Sequence, residues 1–148
     1  MHSRFEDLIS EFENCCSVSR VAVEKGKRFE IVSNENFTKL RIDGGLITSD
    51  QIQKCDFGFI RHTNEDFYFV ELKGKDIERA YKQIICTIDY FNQNLIRIPQ
   101  NKRYFFIVSS SGIPKARTKI QNLKQDFAKK GYKLNQLVIE NMVIKHTP

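Results

Sequence analysis

The sequence predicts an α/β fold in which a mixed β-sheet is flanked by helices on both faces. Three observations carry that prediction. Short runs rich in β-branched and aromatic residues, RFEIV (28–32), FTKLRI (37–42), CDFGFIRH (55–62) and FYFVELK (67–73), read as strands bounded by turn residues. Past Gly74 the period lengthens to 3.6: Ile77, Tyr81, Ile84, Ile88, Phe91 and Leu95 form one stripe, widened by Ala80 and Ile85, so 75–95 is a helix. RYFFIVSS (103–110) is almost continuously apolar, as a central strand covered on both faces should be.

The remaining elements follow in order. Phe5, Leu8, Ile9 and Phe12 recur at helical spacing with acids on their flanks, which predicts a first helix over 3–16. SNEN joins 28–32 to 37–42 as a hairpin, and TNED joins 55–62 to 67–73 as a second. SSGIP turns the chain after 103–110, and Ala116, Ile120, Leu123 and Phe127 give the next helix its stripe, ended by Gly131. Short strands around 137–140 and 142–145 complete an α-β-β-β-β-α-β-α-β order. Strands 67–73 and 103–110, joined through helix 75–95, are expected to be parallel neighbours with a right-handed crossover.

The 148 residues are read as one domain, 1–148, and 41% hydrophobic with 28% charged residues is a globular composition. No apolar run approaches a membrane span, and the acidic, amphipathic start MHSRFEDLISEFEN is unlike a secretory signal, so the expected location is cytoplasmic. Cys15 and Cys16 are adjacent while Cys55 and Cys86 stand alone, which offers no zinc spacing. The net charge of +6 is unevenly spread. From Arg97 onward 11 Lys and Arg face two acids, whereas the first 96 residues hold 13 basic and 16 acidic side chains. One basic end suits a polyanionic partner, or simply a soluble surface.

The stretch FVELKGKDIERAYKQI (69–84) carries the chemistry. Strand alternation puts Glu71 and Lys73 on one face and Val70 and Leu72 on the other. A carboxylate and an ammonium at the end of a buried strand are costly unless they pair, bind metal or work. Asp56, in the hairpin partner strand, adds an acid about 5 Å away across the pair. Asp, fourteen residues, then Glu-x-Lys before an amphipathic helix resembles the PD-(D/E)xK nuclease superfamily, whose fold is called restriction-endonuclease-like. The resemblance covers roughly 55–110, and Cys55 stands where the motif has Pro.

That resemblance implies that Asp56 and Glu71 bind Mg²⁺, with Mn²⁺ as a substitute, Leu72 offering its carbonyl and Lys73 orienting or activating the attacking water. Two hard carboxylates suit Mg²⁺ independently, and such an ion polarises a phosphate and acidifies water. The plain structural reading is an edge-strand ion pair of Glu71 with Lys73 or Lys75. The family further suggests Gln83 on the following helix as a catalytic residue and a carboxylate from the first helix, here Glu11, as a metal ligand. Either could equally be a solvated surface residue. Asp43 competes with Asp56, but Asp-Gly is a favoured turn dipeptide.

Lys115, Arg117, Lys119 and Lys124 crowd the next helix, with Ser110 and Ser111 in the loop before it, as candidate contacts to backbone phosphates. The expectation is a metal-dependent endonuclease acting on duplex or branched DNA, as a homodimer because one small domain must act twice to cut both strands. An RNA-cleaving enzyme shares the chemistry. A catalytically inactive module of the same fold, binding nucleic acid or protein, is the alternative.

Overall fold

The computed structural model describes residues 1–110 and 117–148, with the Lys73 side chain and the exposure of Gly74 outside that description. Helix α1 spans Phe5–Glu11, shorter than the 3–16 expected from its stripe. The chain leaves helical geometry at Phe12, makes a short 3₁₀ turn over Glu13–Cys15, and enters strand β1, Cys16–Val18. Pairing with a neighbouring strand claims those last residues from the helix.

Strands β2 (Val21–Glu24) and β3 (Lys27–Ile31) form a hairpin that the sequence reading missed. Lys25 and Gly26 turn it with φ of 48° and 81°. Positive φ at both central positions matches the right-handed strand twist. Strand β4 (Phe37–Arg41) therefore does not pair with β3 across SNEN, as expected; it pairs with β1 and with β5 (Phe57–Arg61). The segment between β3 and β4 passes from one sheet to another. Arg20 pins it by donating to the carbonyls of Ser33 and Glu35, and the Glu35 carboxylate receives Arg61 at 2.7 Å.

The second expected hairpin forms. Strand β6 (Asp66–Gly74) pairs antiparallel with β5, then α2 (Ile77–Tyr90) follows, extended by a π-helical turn over Phe91–Leu95. Asp76 caps α2 by accepting from the Arg79 N–H at 3.1 Å. Strand β7 (Arg103–Ser109) lies parallel to β6, as the crossover requires. Helix α3 (Arg117–Lys129) leads to β8 (Leu137–Asn141), parallel to β7, and β9 (Val143–His146) joins β3 in parallel. The predicted turn over SSGIP falls largely outside the described residues.

The result is a six-stranded mixed sheet ordered β1-β4-β5-β6-β7-β8 and a three-stranded sheet ordered β2-β3-β9. Met142 joins them: at φ 65° its N–H donates to Ser109 O, and its carbonyl accepts from Arg28 N. Alternation along β6 and β7 divides the core. Phe67, Phe69, Phe105 and Ile107 meet Phe5, Leu8, Ile84, Ile88 and Phe127 from all three helices. Tyr68, Val70, Leu72, Phe106 and Val108 meet Ala22, Phe29, Ile31 and Ile144 of the small sheet. Helices were expected on both faces; they cover one, and β2-β3-β9 covers the other. Each fully buried Phe contributes roughly 1.5–3 kcal/mol. Gly58 is required in β5 because a Cβ there would stand 2.4 Å from the Phe67 ring. Among the described residues no helix is long and apolar enough to cross a membrane.

Candidate functional site

Phe57 of β5 lies opposite Val70 of β6. One further step along that antiparallel register sets Asp56 opposite Glu71. Opposed residues share a face, with Cβ atoms about 5 Å apart. The face follows from Phe67 and Phe69, which point into the helix-side core, so Glu71, two residues on, points the same way. Asp56 is 4% exposed and Glu71 0%. Two carboxylates are thus buried on one side of adjacent strands.

Local hydrogen bonds fix the Asp56 segment. Asp56 Oδ2 accepts from Leu72 N at 2.8 Å, while the Asp56 carbonyl accepts from the N–H groups of Ile42 at 3.0 Å and Asp43 at 3.3 Å. Cys55 N–H donates to Thr87 Oγ1 at 2.9 Å, and that hydroxyl donates to Gln83 O at 2.6 Å. A single hydroxyl therefore stitches α2 to the Asp56 segment. Burial pushes the Cys55 thiol well up, and the charges of Glu71 and Asp56 push it further.

The pair lies where β6 and β7 finish and α2 starts, and the carboxyl ends of parallel strands are where open α/β sheets take ligands. Ser110 follows β7 at this end, and its Oγ is buried without a hydrogen-bond partner among the described residues. Leu72 joins the site through its backbone, its side chain being buried in the other core. Between Glu71 and Gly74 the β6–β7 register slips. A bulge of this kind re-aims side chains, so strict alternation across Lys73 no longer follows. The Lys73 side chain itself lies outside the described residues, as do Ser111 and Lys115.

Gln83, left between site and solvent by its helical phase, lines a cavity of about 400 Å³ with Arg79, Asp43, Asp50 and Lys54. That cavity adjoins the Asp56 segment. Asp43 behaves as a turn residue: its carboxylate is 3.9 Å from Lys54, and Gly44 beside it has φ 79°. Glu11 is engaged elsewhere. Its carboxylate receives His2 Nε2 at 2.8 Å, and His2 N–H is fastened to Leu95 O, eight residues beyond Thr87. Among the described residues no three His, Cys, Asp or Glu side chains converge to hold an ion, so Glu11 does not complete a triad with Asp56 and Glu71. Two buried carboxylates still fit Mg²⁺, which commonly takes one or two and keeps several waters.

Arg117 and Lys119 are exposed on α3 and Lys124 is half-buried. Lys119 faces the groove toward α2. Thr87 was missed as a positioning residue, although its signal is in the sequence: it falls beside Ile84 and Ile88 on the buried stripe, where a hydroxyl needs a partner. Comparison with protein-family models, curated proteins and solved structures finds no match to this chain.

Proposed function

We infer that this chain is a metal-dependent endonuclease of the PD-(D/E)xK type, hydrolysing phosphodiester bonds in DNA. The observation that carries the reading is the buried pair Asp56 and Glu71, opposed on adjacent strands at the carboxyl ends of β6 and β7. The succession of β4, β5 and β6 as an antiparallel meander, then α2 and parallel β7, supports the restriction-endonuclease-like fold.

Asp56 and Glu71 would hold Mg²⁺ or Mn²⁺, helped by the Leu72 carbonyl. When bound, the ion supplies polarisation of the scissile phosphate and a more acidic water. The protein's own part is positioning. Leu72 N–H orients the Asp56 carboxylate, and Thr87 holds the segment that presents it. Lys73 is assigned to the attacking water and Gln83 to the substrate side of the site. Action on both strands of a duplex calls for two copies, so the working form is a homodimer.

The test is incubation of pure protein with labelled duplex, branched and single-stranded DNA and with RNA, in Mg²⁺, Mn²⁺ or EDTA. Cleavage of DNA that EDTA abolishes is expected. Lys73→Ala is expected to retain DNA binding and lose roughly 10²–10⁴-fold in cleavage, the usual yield of a positioned acid–base group. Wild-type protein inert on every substrate and metal would overturn the enzyme and leave the non-catalytic module. Cutting unchanged in Lys73→Ala would remove Lys73 from the chemistry.

A further inference from the structure

Helices α2 and α3 pack against each other yet leave a cavity of about 420 Å³ between them, opening to solvent. That volume lies within the roughly 300–1,000 Å³ typical of small-molecule sites. Its walls are mainly apolar, with Ile85 contributed by α2 and Leu123 by α3. Lys82 reaches it from α2 and Lys119 from α3, and neither has an ion-pair partner among the described residues. Asn122 presents an amide, a group with both donor and acceptor atoms.

The acids in the same walls are Glu78 and Asp126. Asp126 is already engaged, accepting from Tyr81 Oη at 2.9 Å and facing Lys130 at 3.5 Å. Three lysines against two acids leave the groove positive, and the two lysines without partners come from opposite walls. An occupant that satisfies these features has a flat apolar body, an edge able to hydrogen-bond an amide, and a negative group.

We propose that the α2–α3 groove binds a nucleotide, with the base between Ile85 and Leu123, its edge on Asn122 and its phosphate on Lys82 and Lys119. The nucleotide is either free or carried on a single strand. The inference is independent of catalysis at Asp56 and Glu71, because the groove is lined by different residues.

Cys86 lines the groove and is a half-buried free thiol, so it reports occupancy directly. Its alkylation by iodoacetamide, followed by peptide mass mapping, is measured with deoxyadenosine monophosphate, a short deoxyadenosine oligonucleotide, inorganic phosphate or octanoate. At ten times the dissociation constant, mass action slows labelling of Cys86 about 10-fold. Protection by the mononucleotide assigns a free-nucleotide pocket; protection by the oligonucleotide alone assigns a strand-borne base. In Lys82→Gln/Lys119→Gln the protection is expected to disappear while circular dichroism stays unchanged, since Lys119 is on the surface and Lys82 projects from an exposed position of α2. Protection by neither nucleotide form, equal protection by octanoate or phosphate, or full protection in the double variant would each overturn the proposal. None of these readings depends on whether the protein cuts DNA.

Discussion

Asp56 and Glu71 set the first expectation at the scale of single residues. If they hold a divalent ion, folding and binding are linked, because the unfolded chain has no such paired site. At 100 times the dissociation constant the linkage is worth about 2.7 kcal/mol. For a chain of this size that raises Tm by roughly 5–10 °C. Calorimetry with and without Mg²⁺ should show the rise in wild-type protein and its loss in Glu71→Gln, whether or not a substrate has been found; an equal rise in both would separate Glu71 from the ion. Thr87 offers a second expectation. Thr87→Val keeps the shape but strands the buried Cys55 N–H, which costs about 1–3 kcal/mol. A urea midpoint indistinguishable from wild type would show that the N–H finds another acceptor. The β5–β6 hairpin that brings Asp56 and Glu71 onto neighbouring strands was legible in the sequence because a tight turn and a two-residue period leave little choice of register. The contact of Glu11 with His2 was not, because nothing in a helical stripe says which distant backbone the preceding residues are tied to.

Among the elements, β9 shows why part of the fold escaped the sequence. VIK reads as a short strand in isolation, and so it is, but its partner β3 lies more than a hundred residues earlier. Local periodicity predicts that strand exists and is silent on which sheet receives it. The same silence misassigned β3 to β4, since SNEN looks like a turn and only the Arg20 anchor shows that it is a crossing between sheets. Strand β6, α2 and β7 were legible because a strand, an adjoining helix and an apolar strand have few ways to pack. The docking of β9 also carries a pH dependence. His146 packs perpendicular to Tyr68 at 5.2 Å and against Phe106 at 4.9 Å. Burial, and secondarily the Arg61 charge, hold its pKa below the ordinary 6.5. The unfolded chain therefore takes the proton more readily than the folded one, so the contribution is present above pH 6.5 and lost as pH falls through the folded value. Comparing urea midpoints of wild-type and His146→Phe protein at pH 7.5 and pH 5 isolates the effect: the wild type should lose more on acidification. Equal losses would mean that His146 does not sense the change.

For the whole molecule, charge and topology point the same way. Strands β6, β7 and β8 run parallel, so α2 and α3 both return from the end where Asp56 and Glu71 lie, with their first turns at that end. Helix N-termini carry partial positive charge, and the excess of Lys and Arg is concentrated beyond Arg97. The first turns of α2 and α3 and the lysines of α3 therefore offset the negative charge of the carboxylate pair at this end. If Lys119 and Lys124 each neutralise one phosphate of duplex DNA, log affinity plotted against log salt should have a slope near −0.9 per contact. Reversing both to Glu should make that slope shallower by roughly 1.8 while far-ultraviolet circular dichroism is unchanged. Binding should weaken across unrelated sequences alike, because phosphate contacts position a duplex without reading it. Lys119 is exposed and Lys124 half-buried, so the single reversals distinguish them: the larger change belongs at Lys119, whose ammonium is the more accessible to a phosphate. An unaltered slope in the double variant would show that α3 makes no phosphate contacts through these lysines. Phosphate contacts would then be sought on the β4–β5 side, where β4 carries Lys39 and Arg41.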